Sequence, residues 1–275
     1  MNTSAHQEKH FQRYIIERLV EQGWKLGDTK YYDTERALYP EDLEGWIKAS
    51  GQKDKWEKLE RLNGSKTLDV VMERLTKALE QQGAVQVLRQ GFSIAGCGLI
   101  EMTETAPEDK RNEAVIERYK SNILRVVPEL KYHPAREFAI DLVFFINGLP
   151  VATVELKTDF TQSAEAAMEQ YQQDRLPFDP KTKRKEPLLT FKRGAVVHFA
   201  MSDSEIMMAT KLDGVNTFFL PFNKGHEGRA GNPPGEKKPD GSIEYPVAYF
   251  WEDVCQPDAW LRIFHSFVYV EKKDV

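Results

Sequence analysis

The chain has 275 residues, 41% of them hydrophobic and 29% charged, as expected of a soluble globular protein with room for one generous core or two small ones. A net charge of -5 and a pI near 5.8 exclude a broadly cationic nucleic-acid binder, so any DNA contact has to come from a local basic patch. Cys97 and Cys255 stand without CxxC or His partners, which excludes a disulfide framework and a zinc site and fits a reducing cytoplasm.

The first residues, MNTSAHQEKHFQRY, are polar, and no apolar run approaches the roughly 18 residues that a spanning helix needs. From His10 to Gly23, Phe11, Ile15 and Leu19 recur at helical spacing and a Gly closes the segment, which predicts an amphipathic helix. EDLEGWIKAS, KWEKLERLNG and TLDVVMERLTKALEQQG continue as helices, each ended by Ser or Gly. After Gly83 the texture changes to short runs rich in Val, Ile and Phe. AVQVLRQGFSI, ILRVVPELKYH, EFAIDLVFFI, PVATVELK, AVVHFAMS and EIMMATKL read as strands, and NEAVIERYKSNI and SAEAAMEQYQQDR between them as helices. Residues 223–242 are Gly/Pro-rich loop, and DAWLRIFHSF reads as a closing helix. The expected organisation is a helical N-terminal region over residues 1–83, packed on an α/β domain with a mixed sheet over residues 84–275.

IDLVFFINGLPVATVELK raises a chemical question. An ionised side chain among apolar neighbours is costly unless something pairs with it, yet this run has Asp141 near its start and Glu155-x-Lys157 at its end. Glu-x-Lys occurs five times, beginning at Glu108, Glu129, Glu155, Glu236 and Glu271. Only the copy at Glu155 ends a clean apolar strand whose hairpin partner also begins with an acid. The copy at Glu129 is the nearest rival, but Pro128 interrupts its run and no acid is expected on an adjacent strand. In an antiparallel hairpin Asp141 and Glu155 share a face only when the paired indices have an even sum. A two-residue Asn-Gly turn gives an odd sum. The expectation is therefore a three-residue loop, Ile146-Asn147-Gly148, with Gly148 in the left-handed position of a bulge and Asp141 diagonal to Glu155.

Two carboxylates on one face make a hard-oxygen site suited to Mg²⁺, and a neighbouring lysine can orient or deprotonate a nucleophile. The same pattern also admits a plain cross-strand ion pair of Glu155 with Lys157. Gln170 and Asp174 are four residues apart and stack on one face of the helix that follows. Lys181, Lys183, Arg184, Lys185, Lys192 and Arg193 form a basic segment with a single acid, either a phosphate-contacting patch or a solvated loop.

Asp141, Glu155-x-Lys157 and a following helix with Gln170 resemble the core of PD-(D/E)xK nucleases. YYDTERALYPEDLEGWI, KYHPAREFAIDLVFFINGLPVATVELK, EQYQQDR, FKRGAVVHFAMSDSEIMMATKLDG and FLPFNKGHEGRAGNPPG resemble the N-terminal endonuclease region of type I restriction enzyme R subunits. The resemblance implies an α/β fold with a nuclease-like mixed sheet flanked by helices. It implies Mg²⁺ held by Asp141 and Glu155, with Lys157 completing the catalytic set and Gln170 supporting it. Asp174 stands where the family often has Tyr. The family often supplies a further acid from the first helix, in a Phe-Glu pair; here the pair is Phe11-Gln12, leaving Glu8 or Glu17. Implied partners are double-stranded DNA and the modification and specificity subunits, without a membrane. The chain holds no GxxxxGK[ST] phosphate loop, so ATP is implied only for a motor region expected to follow. The expected function is a metal-dependent DNA endonuclease module, excised or truncated from its motor. The alternative is a catalytically silent assembly or DNA-guiding module that keeps the fold.

Overall fold

The computed structural model describes residues 3–108, 111–158 and 163–270; the Glu-x-Lys copy at Glu271 lies outside them. Four helices open the chain: α1 (Thr3–Glu21), α2 (Pro40–Ala49), α3 (Lys53–Asn63) and α4 (Thr67–Gln82). A short strand, β1 (Lys25–Leu26), lies between the first two. The apolar stripe of α1 is realised as read, with Phe11, Ile15 and Leu19 buried.

The run AVQVLRQGFSI departs from expectation. It divides into a helix, α5 (Ala84–Gln90), and a short strand, β2 (Phe92–Ile94), which pairs with β3 (Gly98–Ile100). Gly83 and Gly91, with φ of 86° and 70°, bracket α5 as left-handed stops, and Ala84, Val87 and Leu88 bury one helical face. β-Branched composition suggested a strand; the glycine punctuation and the 1-4-5 spacing decided otherwise.

After α6 (Glu113–Lys120) come β4 (Leu124–Lys131), β5 (Ala139–Ile146), β6 (Leu149–Leu156), α7 (Ala164–Gln173), β7 (Val197–Met201), β8 (Ile206–Ala209), β9 (Leu220–Pro221) and α8 (Pro257–Arg262). One mixed seven-stranded sheet runs β1-β4-β5-β6-β7-β8-β9, parallel at β1/β4 and β6/β7 and antiparallel elsewhere. This is the helix-flanked mixed α/β sheet that the resemblance implied.

Alternation along the central strands sorts the core onto two faces. Leu142, Phe144, Ile146, Ala152, Val154 and Leu156 meet the N-terminal helices and α8, whereas Val143 and Phe145 meet Tyr171 of α7, Leu188 and Leu189. The N-terminal helices thus share a core with the sheet, and β1 adds a strand to it. Among the described residues no helix is long and apolar enough to cross a membrane.

The β5–β6 hairpin corrects the expected loop. Ile146 pairs with Leu149, so the turn has two residues, Asn147 and Gly148, both left-handed with φ of 50° and 89°, as a tight Asn-Gly turn requires. The extra residue lies inside β6. Phe145 pairs with Pro150 but Phe144 pairs with Ala152, leaving Val151 as a bulge. Gly148 is required for a second reason: a Cβ there would come within 2.7 Å of the Tyr39 carbonyl oxygen.

Candidate active site

Beyond the Val151 bulge the register runs through Leu142 and Val154, which places Asp141 directly opposite Glu155 rather than diagonal to it. The two carboxylates share the face of the sheet that carries α7. The Leu156 N–H donates to Asp141 Oδ2 at 2.7 Å and fixes that carboxylate across the hairpin. Lys157 follows the strand immediately, held by its own N–H on the Met201 carbonyl at 2.8 Å. Its side chain is only 12% exposed, with Nζ 2.9 Å from the Leu156 carbonyl and 3.4 Å from Glu8 Oε2.

Lys157 therefore does not pair with Glu155. The cation on Glu155 is Arg175, whose Nε donates to Glu155 Oε1 at 2.5 Å. Glu155 is fully buried, and among the described residues no donor reaches its Oε2, the facing Asp141 carboxylate being within hydrogen-bonding range of the Glu155 carboxyl. Burial pushes the Glu155 carboxyl well above the usual carboxylate range, the Asp141 charge pushes the same way, and Arg175 pulls against both. Burial also opposes the charge of Arg175, but attraction and hydrogen bonding to Glu155 outweigh it and hold the guanidinium charged. Two adjacent carboxylates in low dielectric call for cations, and one guanidinium answers only part of that demand.

The first helix completes the neighbourhood. Gln12 donates to the Asp141 backbone carbonyl at 2.7 Å and to Glu129 Oε1 at 3.3 Å. One turn earlier on the same face is Glu8, raised by burial against the lowering pull of Lys157. Glu17 is on exposed surface, 3.8 Å from Arg13, and is not brought to the site. Pro128 does not keep Glu129 out of the sheet. Pro128 sits within β4, beyond the two residues covered by β1, where a missing N–H is tolerated. The β4–β5 register then sets Glu129 opposite Asp141, although its side chain is exposed and Lys131 is engaged by Glu137.

On α7, Gln170 is half-buried with Oε1 unpartnered, whereas Asp174 is exposed at the helix end. The inward contact comes from the next residue, Arg175. Its signal in the sequence was the unanswered question of what neutralises a carboxylate in an apolar strand. The basic segment lies apart. Arg193 is buried and donates to the Arg36 carbonyl at 2.6 Å, and Arg184 pairs with Glu35 at 2.5 Å. A cavity of about 1230 Å³ runs along Arg184, Lys185, Lys192 and Arg193, so this concavity follows the basic segment and not the acids.

The donor set fits a hard divalent cation: all oxygens, with Glu155 Oε2 buried and unpartnered. Among the described residues no group of three or more His, Cys, Asp or Glu is arranged to hold a metal, so a cation at the Asp141/Glu155 pair would keep several waters, as Mg²⁺ does.

Beneath Glu155, Thr153 Oγ1 lies 2.8 Å from Tyr171 Oη and 2.7 Å from His198 Nδ1, all buried. Burial pushes His198 down to about 3, against about 6.5 in the unfolded chain. Between these values the unfolded state holds the additional proton, so stability falls as pH drops through that window, by at most about tenfold per pH unit, and levels off below about 3. His198→Gln is expected to flatten this part of a urea-denaturation pH profile. An unchanged profile would remove His198 as its source.

Residues 7–217 match the family described as type I restriction enzyme R protein N terminus. A comparison with curated proteins finds no match. With more than half of the chain matched, this protein belongs to the family of type I restriction enzyme R protein N-terminal regions.

Proposed function

We propose that this chain is the Mg²⁺-dependent DNA endonuclease module of a type I restriction enzyme R subunit, hydrolysing phosphodiester bonds in double-stranded DNA. The modification and specificity subunits supply site choice. The observation that carries the reading is that Asp141 faces Glu155 at one end of β5 and β6, with Lys157 held beside Glu8 just past β6 and, among the described residues, no donor on a buried Glu155 oxygen.

Asp141 and Glu155 are the residues that would hold the cation. When bound, Mg²⁺ supplies charge neutralisation at a phosphoryl oxygen and acidifies a coordinated water. The chain's own groups do the rest. Lys157 orients the attacking water and, as the P–O bond to the leaving oxygen breaks, offsets the charge building on the phosphoryl group. Glu8 holds the Lys157 amine, and Gln12 holds the backbone of Asp141 against α1. Lys181, Lys183, Arg184, Lys185 and Lys192 contact phosphates without reading bases, so binding falls with salt. ATP belongs to the motor region of the intact subunit.

The silent-module alternative draws on one observation, that Arg175 already answers part of the Glu155 charge. Calorimetric titration with Mn²⁺ separates the readings. The chain is expected to bind about one ion, and Glu155→Gln to lose at least tenfold in affinity. A wild-type chain that takes up no Mn²⁺, and an assembled enzyme that nicks plasmid DNA equally well with Glu155→Gln, would overturn the endonuclease reading.

A further inference from the structure

We infer that Arg175 is a positioning residue, holding one oxygen of Glu155 so that the other is reserved for the metal; the inference rests on the endonuclease reading above. Arg175 lies just past the end of α7, where its own N–H is bound to the Gln170 carbonyl at 3.2 Å. It is 7% exposed, and Nε reaches Glu155 Oε1 at 2.5 Å. The main chain at the helix end thus fixes the root of the side chain, and the carboxylate fixes its tip.

The same molecule contains a buried arginine–carboxylate pair for comparison. Arg125 grips Asp42 with two parallel bonds, Nε to Oδ2 and Nη2 to Oδ1, both 2.6 Å. That is the arrangement expected when the pair serves packing alone, because both buried oxygens are satisfied. At Glu155 the grip is single-ended. Among the described residues Oε2 is buried on a carboxylate with no donor and only the like-charged Asp141 carboxylate facing Glu155, a costly state unless a cation completes it. Lys157 does not complete it, being bound to Glu8 and the Leu156 carbonyl.

The charge arithmetic agrees. Among the described residues Asp141, Glu155, Glu8 and the exposed Glu129 have Arg175 and Lys157 as the cations bound to them, which leaves room for a divalent ion and then a phosphodiester anion. A fixed guanidinium also restricts rotation of the carboxylate, so less orientational freedom is lost when a cation arrives.

The test uses the whole chain titrated with Mn²⁺ in a calorimeter, with thermal unfolding as a check on folding. A parallel Mg²⁺ titration follows plasmid cleavage by the assembled enzyme. Arg175→Met is expected to weaken Mn²⁺ binding by about 10- to 100-fold and to raise the Mg²⁺ needed for half-maximal cleavage by a similar factor. Arg175→Lys keeps the charge and one donor and should recover most of the affinity. If Arg175→Met does not fold, Arg175→Gln, which keeps a donor without the charge, takes its place with an expected loss of about tenfold. A folded Met or Gln variant that binds Mn²⁺ as tightly as wild type, or more tightly, overturns the inference. A wild-type chain that binds no Mn²⁺ overturns it together with the endonuclease reading, so the two failures are distinguishable.

Discussion

Lys157→Ala is expected to abolish plasmid cleavage by the R subunit assembled with its partners, while Mn²⁺ binding by the chain stays within a few-fold of wild type. The amine contributes no metal ligand. It stands between Glu8 and the Leu156 carbonyl, beside the two acids. Loss of one stabiliser of developing oxyanion charge typically lowers a rate by about 100- to 1000-fold, and loss of the group that orients the water adds to this. On the endonuclease reading, ATP-driven translocation by the assembled enzyme should persist, because residues 1–275 hold no GxxxxGK[ST] phosphate loop. The measurement is nicking beside ATPase activity for the same full-length variant. Undiminished nicking would return Lys157 to a simpler role as the ion-pair partner of Glu8.

Asp42→Ala is expected to lower stability by about 3–5 kcal/mol, as the loss of one partner of a buried ion pair does. Asp42 and Arg125 are 1% and 5% exposed, and their two bonds join α2 to β4 beneath the Tyr39 ring, which lies 4.3 Å from the guanidinium. Removing the acid leaves a buried cation with only the Leu26 carbonyl at 3.3 Å and the exposed Glu41 at 3.7 Å. Pairs such as Lys77–Glu73, more than half exposed on both sides, should change stability far less, because solvent screens them. Urea unfolding of the two variants side by side checks this. A cost below about 1 kcal/mol for Asp42→Ala would show that Glu41 moves in as the replacement partner.

The parts of this protein that repeat with a fixed period were legible in its sequence. The stripe Phe11, Ile15, Leu19 and the apolar runs of β4 to β8 produced elements where they were expected, and Asp141 and Glu155 face each other with Lys157 paired to Glu8. The parts that depend on a single residue's placement were not legible. The bulge at Val151 has no compositional mark, since Val suits a regular strand equally well. Glu129 was set aside because Pro128 reads as a break, and only the short reach of β1 shows why a proline can stand there. Arg175 lies beyond the helical repeat of α7, so no periodicity points to it. The need for it was visible all the same, in a carboxylate surrounded by Val, Ile and Leu.

Within β6, between the Asn147-Gly148 turn and Glu155, the strand keeps Glu155 facing Asp141 only if its length changes in steps of two. With Asn147-Gly148 as the turn, the hairpin alone would set the acids on opposite sides of the sheet, and one supernumerary residue at Val151 returns them to the same side. A single deletion or insertion within residues 149–154 would leave the strand's composition nearly intact yet exchange its two surfaces, sending Glu155 toward the N-terminal helices and Val154 or Leu156 into its place. Strand length in β6 therefore constrains the site more tightly than the identity of most of its side chains, and natural variation within residues 149–154 should appear as substitutions or paired indels.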